Sequence, residues 1–542
     1  MSAECYPIAV LPHTTQLYRD YLAMSEHDAV RTWYGGTSLG GEWMRLVPAG
    51  PADAGHRDRL AAALQAECLA YGASAKALEN VTKLRNGARA VVTGQQVGLF
   101  GGPLLTLLKA ATAIARAQEA TRVSGIDHVP VFWLATEDHD LAEVDQLALP
   151  SKTALEKLSA GLKTAVPVPV GGVPLDGALD GVLEQVSELL AYAPVCDDLR
   201  EFYAPAAGPH ATLGGAFAGF MARVFADQGL IVMDAAGSEF HALGAATLRA
   251  AIERAEEFEV ALLARTSELE RHHYHAQVLV KPGASLLFLL DEATGERLAL
   301  RRLPEGGWKA GNKPYTTAEL LAILDVQPER ISPNALLRPV FQDTILPTAA
   351  YIGGPAEVAY FAQSAVLYER VLARITPVLP RLTATLIEPA LAEVMARHEL
   401  TLPDVMTTPE ALAQRLGARA MPIAGKRKLA AVGNAMDAEL TALTEYLAAM
   451  DASLGSAAEV SASKMRYQMN RLRRMAATYE LQKEASLRKH ADVLTLNLFP
   501  EGHPQERVVA GIWFLARYGE GLIDRLVEEA AGMCAGHVAV RL

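Results

Sequence analysis

The sequence predicts an α/β protein: a parallel-sheet core with inserted connecting segments, followed by a C-terminal α-helical coiled coil. Three observations carry that expectation. An apolar run at Val91-Val92 opens into the glycine-rich loop Thr93-Gly94-Gln95-Gln96-Val97-Gly98-Leu99-Phe100-Gly101-Gly102-Pro103, which feeds a helical pattern from Leu104 to about Ala120. A second apolar run from Val129 to Ala135 then stops at Glu137-Asp138-His139-Asp140. Strand, loop, helix and strand at this spacing form a βαβ unit, whose two strands have to be parallel. Third, Met436, Leu440, Leu443, Leu447 and Met450 follow the 4-3-4-3 spacing of a coiled-coil seam.

The bulk composition bounds the rest. At 542 residues, 51% hydrophobic and 21% charged, the chain exceeds one simple core. Its pattern divides it into a core over 1–385, with insertions at about 150–210 and 275–325, a helical coiled-coil domain over 386–500, and a segment over 501–542 that returns to the core. A net charge of −12 argues against a nucleic-acid partner. No run of 18 apolar residues predicts a membrane span, and no basic start with an apolar core predicts a signal peptide. Cys5, Cys68, Cys196 and Cys534 are scattered without a CxxC pair, the pattern of reduced thiols in a cytoplasmic protein.

In chain order, residues 1–85 read as mainly helical, with an amphipathic stretch from about Arg57 to Glu79. After the βαβ unit and the weakly periodic 150–210 region, a helix at about 212–227 leads to a short buried strand, Gly229–Met233, ending at Asp234. A helix near 239–271 precedes three short strands, Gln277–Val280, Ser285–Leu290 and Arg297–Arg302, that predict a meander. The core pattern resumes at Ile331 and reaches a second Gly-Gly-Pro at 353–355, followed by a helix to about Arg374. In the coiled coil, the first arm is acidic outside (Asp437, Glu439, Glu445) and the second basic (Lys464, Arg466, Arg471, Arg473, Arg474), so two antiparallel helices are expected. Gly455 is read as the break and Ser456 with Glu459 as a capping box. Met465, Met469, Leu472, Met475 or Ala476, and Tyr479 continue the seam. A last helical stretch from Arg507 to about Ala531 ends in His537-Val538-Ala539-Val540, a candidate returning strand.

Parallel strands present their carboxyl ends on one edge, where open α/β sheets bind ligands. The candidate catalytic residues there are Glu137, Asp138, His139 and Asp140. Three acids crowded around one imidazole call for a cation, a substrate amine or a metal; helix capping by Asp138 or Asp140 is the alternative reading. Mg²⁺ or Mn²⁺ would suit such ligands, but nothing in the sequence completes a metal site, and His272, His273 and His275 lack zinc spacing. The loop residues Thr93, Gly94, Gln95, Gln96, Gly98, Gly101 and Gly102 are candidate ligand contacts, although the loop is neither G-x-G-x-x-G nor a P-loop. Lys109 either reaches a phosphate or is a solvated helix residue. Each Gly-Gly-Pro opens a helix, and two exposed helix N-termini would receive anions. Asn334, Arg338, Gln342, Tyr351, Gly353, Gly354 and Glu357 are expected to line the same rim.

The two long motifs, Thr93–Pro103 and Phe132–Asp140, resemble those of the bacillithiol biosynthesis cysteine-adding enzymes. So do Arg338–Thr348, Tyr351–Tyr360, Pro504-Gln505-Glu506-Arg507 and Tyr518-Gly519, so the likeness spans the chain. Ala356 stands where many relatives are expected to have glycine, a change of one methyl group. The resemblance implies a Rossmann-type core akin to that of class I aminoacyl-tRNA synthetases and a homodimer formed through the coiled coil. It implies amide-bond formation between cysteine and the glucosamine amine of glucosaminyl malate. Carboxyl activation then calls for ATP or another adenine nucleotide, with Mg²⁺. In this reading His139, tuned by Glu137 and Asp140, takes a proton from the attacking amine, and an acid of the tetrad holds the cysteine ammonium. The His-x-Gly-His motif of adenylate-forming class I synthetases is absent, which leaves adenylate and acyl-phosphate routes open. Two other classes stay open: a nucleotide-binding transferase acting on a sugar or sugar phosphate, and a non-catalytic dimeric adaptor.

Overall fold

The computed structural model describes residues 3–23, 27–36, 39–48, 53–175, 177–304, 306–519, 521–532 and 534–542. Its centre is a five-stranded, all-parallel sheet. The strands are β1 (Arg89–Gln95), β2 (His128–Leu134), β3 (Ile231–Met233), β4 (Thr348–Gly353) and β5 (Val378–Pro380), in the order β5-β4-β1-β2-β3. That order reverses direction between β1 and β4, the switch point at which open α/β sheets form their binding crevice. Every residue of β2 and β4 is buried, as expected of strands covered on both faces.

Helix α1 (Leu104–Ser124) is the crossover from β1 to β2. It is alanine-rich on its buried side, so Ala113, Ala117 and Ala120 let it lie close against Val91, Ala350 and Ile352. The opposite face carries Val92, Val131, Trp133 and Met233 into the largest apolar core, where helices α2 (Arg338–Ile345) and α3 (Pro355–Val371) pack.

The predicted helix over Arg57–Glu79 is two helices, Ala54–Ala70 and Ala75–Arg85, the second capped by Ser74. The stretch at 239–271 is likewise two, Ser238–Glu253 and Ala255–Arg271. The meander holds Ala284–Leu290, Arg297–Arg302, Trp308–Ala310 and Lys313–Tyr315, closed by Ile331–Pro333 as a fifth antiparallel strand. Gln277–Val280, expected as a strand, is irregular. The Gln363 side-chain amide takes both backbone groups of Val278, at 2.9 and 2.8 Å, in place of a neighbouring strand.

The chain ends meet. Glu4–Pro7 pairs antiparallel with Gly536–Arg541, which pairs parallel with Thr383–Ile387. This juxtaposition places Cys5 against Cys534 in a disulfide, while Cys68 and Cys196 are buried free thiols. The expectation of four reduced cysteines is thus corrected for one pair, which is 529 residues apart in sequence and carries no spacing signature. Among the described residues, no helix is long and apolar enough to cross a membrane.

Helices α4 (Ile423–Met450) and α5 (Ala452–Lys483) pack on each other, and Arg466 reaches across to Asp437 at 2.9 Å. The break between them is at Asp451, whose carboxylate accepts from Ser453 and Leu454 N–H; the expected Gly455 break with a Ser456 cap is corrected. Gly455 instead lies within α5, where a Cβ would come 2.6 Å from that of Ala448. Within this chain the helices meet through small residues, and of the predicted seam Met469 is buried. Leu443, Met465, Leu472 and Met475 are 52–58% exposed.

Candidate active site

The site grows from the ends of β1 and β4. Gly94 sits opposite Trp133, and a Cβ on it would lie 2.8 Å from the Trp133 carbonyl oxygen, so β1 and β2 close up here only with glycine. From α1, Lys109 reaches back beneath the loop. Its Nζ donates to Gly94 O at 2.7 Å and Gln95 Oε1 at 2.9 Å, and pairs with Glu357 Oε2 at 2.6 Å. Those partners use all three ammonium protons. Burial lowers the Lys109 pKa, opposed by Glu357. Lys109 is therefore neither a phosphate arm nor solvated; it ties the Gly94-Gln95 turn to Glu357 at the start of α3.

Glu357 completes the knot. It accepts the Gly354 N–H at 2.7 Å and the Tyr351 hydroxyl at 2.6 Å. A carboxylate at the third position of α3 thus caps its own helix.

Over this knot lies a cavity of about 420 Å³, large enough for small-molecule substrates. Of the sequence-predicted residues it is lined by Gly94, Gln95, Gln96, Asp138, Arg338, Gln342, Tyr351, Gly354 and Glu357. Gln95 is held by Lys109, and Gln96 donates its amide to Glu143 Oε2 at 2.9 Å. Gln342 is buried beside Asp343.

The tetrad comes apart. Glu137 is buried and faces His241, Oε1 to Nε2 2.9 Å, while His241 Nδ1 lies 3.1 Å from Pro328 O. Burial alone would lower the His241 pKa, but Glu137 carries it above its ordinary value. Asp138 pairs with Arg338 and, at 3.6 Å, with Arg297. His139 is exposed and lies 3.3 Å from an Arg297 nitrogen and 5.9 Å from the Phe288 ring. Asp140 caps the short helix Leu141–Val144, accepting from Glu143 N–H at 3.2 Å. The expectation that Glu137 and Asp140 flank His139 is corrected. Leaving the strand, these side chains diverge, and the group beside His139 is a cation. Arg297 comes from the meander, bonded to Ser332 Oγ and Pro333 O and stacked 3.8 Å over Phe288. Burial pulls its pKa down to about 10 against Glu137 and Asp138.

The first Gly-Gly-Pro also differs from expectation. Gly101 and Gly102 are buried inside the fold, and Gly98 is half-buried. Gly101 N–H donates to the Tyr203 hydroxyl, Leu104 N–H to Val509 O at 2.8 Å, and Gly511 N–H to Gly102 O at 3.0 Å. The C-terminal segment thus occupies the Leu104 N–H at the start of α1. Thr93 spends its hydroxyl on Ile352 O at 3.0 Å, and Gly353 O accepts from Arg381 N–H. Asn334 lies off the cavity, where its side chain accepts from the N–H groups of Leu336 and Leu337.

Sequence reasoning missed Glu143, Arg297, Tyr360, Arg381 and Arg507. Arg381, beyond β5, and Arg507 line the cavity. Arg381 is fully buried against Glu506 at 2.6 and 3.1 Å, and Glu506 also accepts from Ala384 N–H at 2.8 Å. The Pro504-Gln505-Glu506-Arg507 motif was the available signal.

Comparison with known proteins agrees with this architecture. Residues 1–382 match the family model for the bacillithiol biosynthesis BshC N-terminal Rossmann-like domain, and residues 384–542 the BshC C-terminal coiled-coil domain. A relative from Koribacter versatilis is 42% identical over 543 residues, covering 100% of both chains. One from Solibacter usitatus is 34% identical over 99% of each. One from Chlorobaculum tepidum is 32% identical over 87% of this chain and 86% of its own. All three bear the name "Putative cysteine ligase BshC". With both family models matched end to end and relatives aligned along the full length, the chain belongs to the BshC family of bacillithiol biosynthesis.

Proposed function

We propose that this protein is the cysteine ligase of bacillithiol synthesis, joining the cysteine carboxyl to the glucosamine amine of glucosaminyl malate. The observation that carries the reading is the cavity at the β1/β4 switch point, walled by the two long family motifs and locked by Lys109–Glu357. A carboxyl must be activated before an amine displaces its oxygen, so ATP or another adenine nucleotide, with Mg²⁺, is the cosubstrate. Asp138, Arg338, Gln342, Tyr351 and the Gly94–Gln96 turn bind and orient substrates there. His139, exposed beside the cavity wall, is the proton acceptor for the amine. With Glu137 committed to His241, it does so without the acid partners expected for it.

The exposed Leu443, Met465, Leu472 and Met475 stripe supports a homodimer through the coiled coil, since apolar side chains at this spacing are covered by a partner helix. The reading places the enzyme in the cytoplasm, with its small-molecule substrates.

The test is to incubate purified protein with glucosaminyl malate, cysteine and Mg-ATP, following bacillithiol, AMP and ADP by mass spectrometry. ATP-dependent product is the expected result, and the released nucleotide selects adenylate or acyl-phosphate activation. Intact substrates at high enzyme concentration would refute the reading.

A further inference from the structure

The charged side chains lining the cavity are Lys109, Arg338, Arg381, Arg507, Asp138, Glu143 and Glu357. Most are already neutralised at close range. Lys109 pairs with Glu357, Arg338 with Asp138, and Arg381 with Glu506 just behind the wall. Two are left over. The exposed Arg507 guanidinium makes no hydrogen bond or close ion pair with any described residue; Glu506 and Glu357 act on it only at longer range, and Glu506 is turned inward to Arg381. Glu143 is exposed and accepts a side-chain hydrogen bond from the neutral Gln96 amide, but pairs with no cation among the described residues. The cavity therefore offers one guanidinium and one carboxylate without a close ionic partner among the described residues.

This pattern suits a pair of oppositely charged substrate groups. In the proposed ligation, two substrate charges change: the cysteine carboxyl becomes an activated acyl group, and the glucosamine nitrogen must be neutral to attack. The charges that persist are the cysteine α-ammonium and the malate carboxylates. Fixed charges on the protein are best matched to groups whose charge persists through the reaction, because a clamp on a charge lost in the reaction stabilises the ground state more than the transition state.

Resting on the ligase reading, we infer that Glu143 holds the cysteine α-ammonium and Arg507 holds a carboxylate of the malate moiety. The three acids Glu137, Asp138 and Asp140 are unsuited to the ammonium: one faces His241, one faces two arginines, and one caps a helix. Glu143, one helical turn beyond the tetrad, is the acid with capacity to spare. A planar guanidinium matches a carboxylate fork, which the Arg507 position uses.

Ligand-observed NMR titration of the full-length protein tests this with two probes: L-cysteine methyl ester, an ammonium without a carboxylate, and L-malate. Glu143→Gln should weaken the ester about tenfold or more and leave malate unchanged. Arg507→Gln should do the reverse, and Arg507→Lys should keep most of the malate affinity. Matching shifts should appear in the KM for cysteine and for glucosaminyl malate respectively. Absent binding of both probes to the unsubstituted protein, crossed effects, or equal loss of both probes in either variant would overturn the assignment. Selective probe binding without any ligation product would uphold the charge assignment and refute the ligase reading; product with unselective probes would do the opposite.

Discussion

Replacing Glu506 by glutamine removes the charge that offsets Arg381 while keeping the side chain's shape. Both side chains are 2% exposed. The carboxylate accepts from Arg381 Nη2 at 2.6 Å and Nη1 at 3.1 Å, and from Ala384 N–H at 2.8 Å. Glutamine supplies one acceptor oxygen, so its NH₂ must face another donor. The lost charge-assisted bond is worth about 1.5–3 kcal/mol, and a stranded buried arginine brings the total to about 3–5 kcal/mol. That is about a hundredfold or more in the unfolding equilibrium. Equilibrium urea unfolding followed by circular dichroism should show the midpoint falling accordingly. Arg381→Met with Glu506→Leu should recover much of the loss, because neither desolvated charge remains. Burial alone would raise the Glu506 pKa, but Arg381 holds it below the ordinary carboxylate range. The pair's contribution is therefore complete above the unfolded value of about 4.3 and is lost as pH falls through the folded value. Glu506→Gln should flatten that acid limb. A loss under about 1 kcal/mol with the acid limb unchanged would refute the argument that a compensated charge holds this wall of the cavity.

Other outcomes follow from the same geometry. Because His241 has a raised pKa, its pairing with Glu137 stabilises fully below the unfolded value of about 6.5 and fades as pH rises through the folded one. His241→Gln should remove that alkaline decline in a pH series of unfolding midpoints. Gly101 has φ +85° and a built Cβ would lie 2.8 Å from Phe220, so Gly101→Ala should destabilise by about 1 kcal/mol or more in the same assay. Thiol titration of unreduced, denatured protein should find the two thiols of Cys68 and Cys196, rising to four after reduction. Leu443→Glu with Met465→Glu should convert the proposed dimer to a monomer by light scattering, with the core's unfolding midpoint unchanged.

The sequence by itself determined the elements whose signal is local. The β1–α1–β2 unit shows as two apolar runs around a helical pattern, and parallel pairing follows from the crossover alone. The antiparallel helix pair shows in the opposite charges of its arms, joined at Arg466–Asp437, whereas the apolar spacing marks a stripe left exposed within this chain; Arg338, Tyr351 and Glu357 show as polar residues at a shared sheet edge. Tertiary structure decided which neighbours those side chains meet. Glu137 and His139 are two positions apart, yet one is buried on His241 and the other lies beside Arg297 from the meander. Lys109 looks like any helix lysine until the fold sets Gly94, Gln95 and Glu357 around its nitrogen. Arg507, the Val509 plug on the first Gly-Gly-Pro and the Cys5–Cys534 pair all depend on the C-terminal segment coming back to the core. Backbone periodicity reports which face of an element is buried, because burial repeats with the element's own geometry. Charge pairing and plugging bring together groups hundreds of residues apart, and no local repeat encodes that meeting.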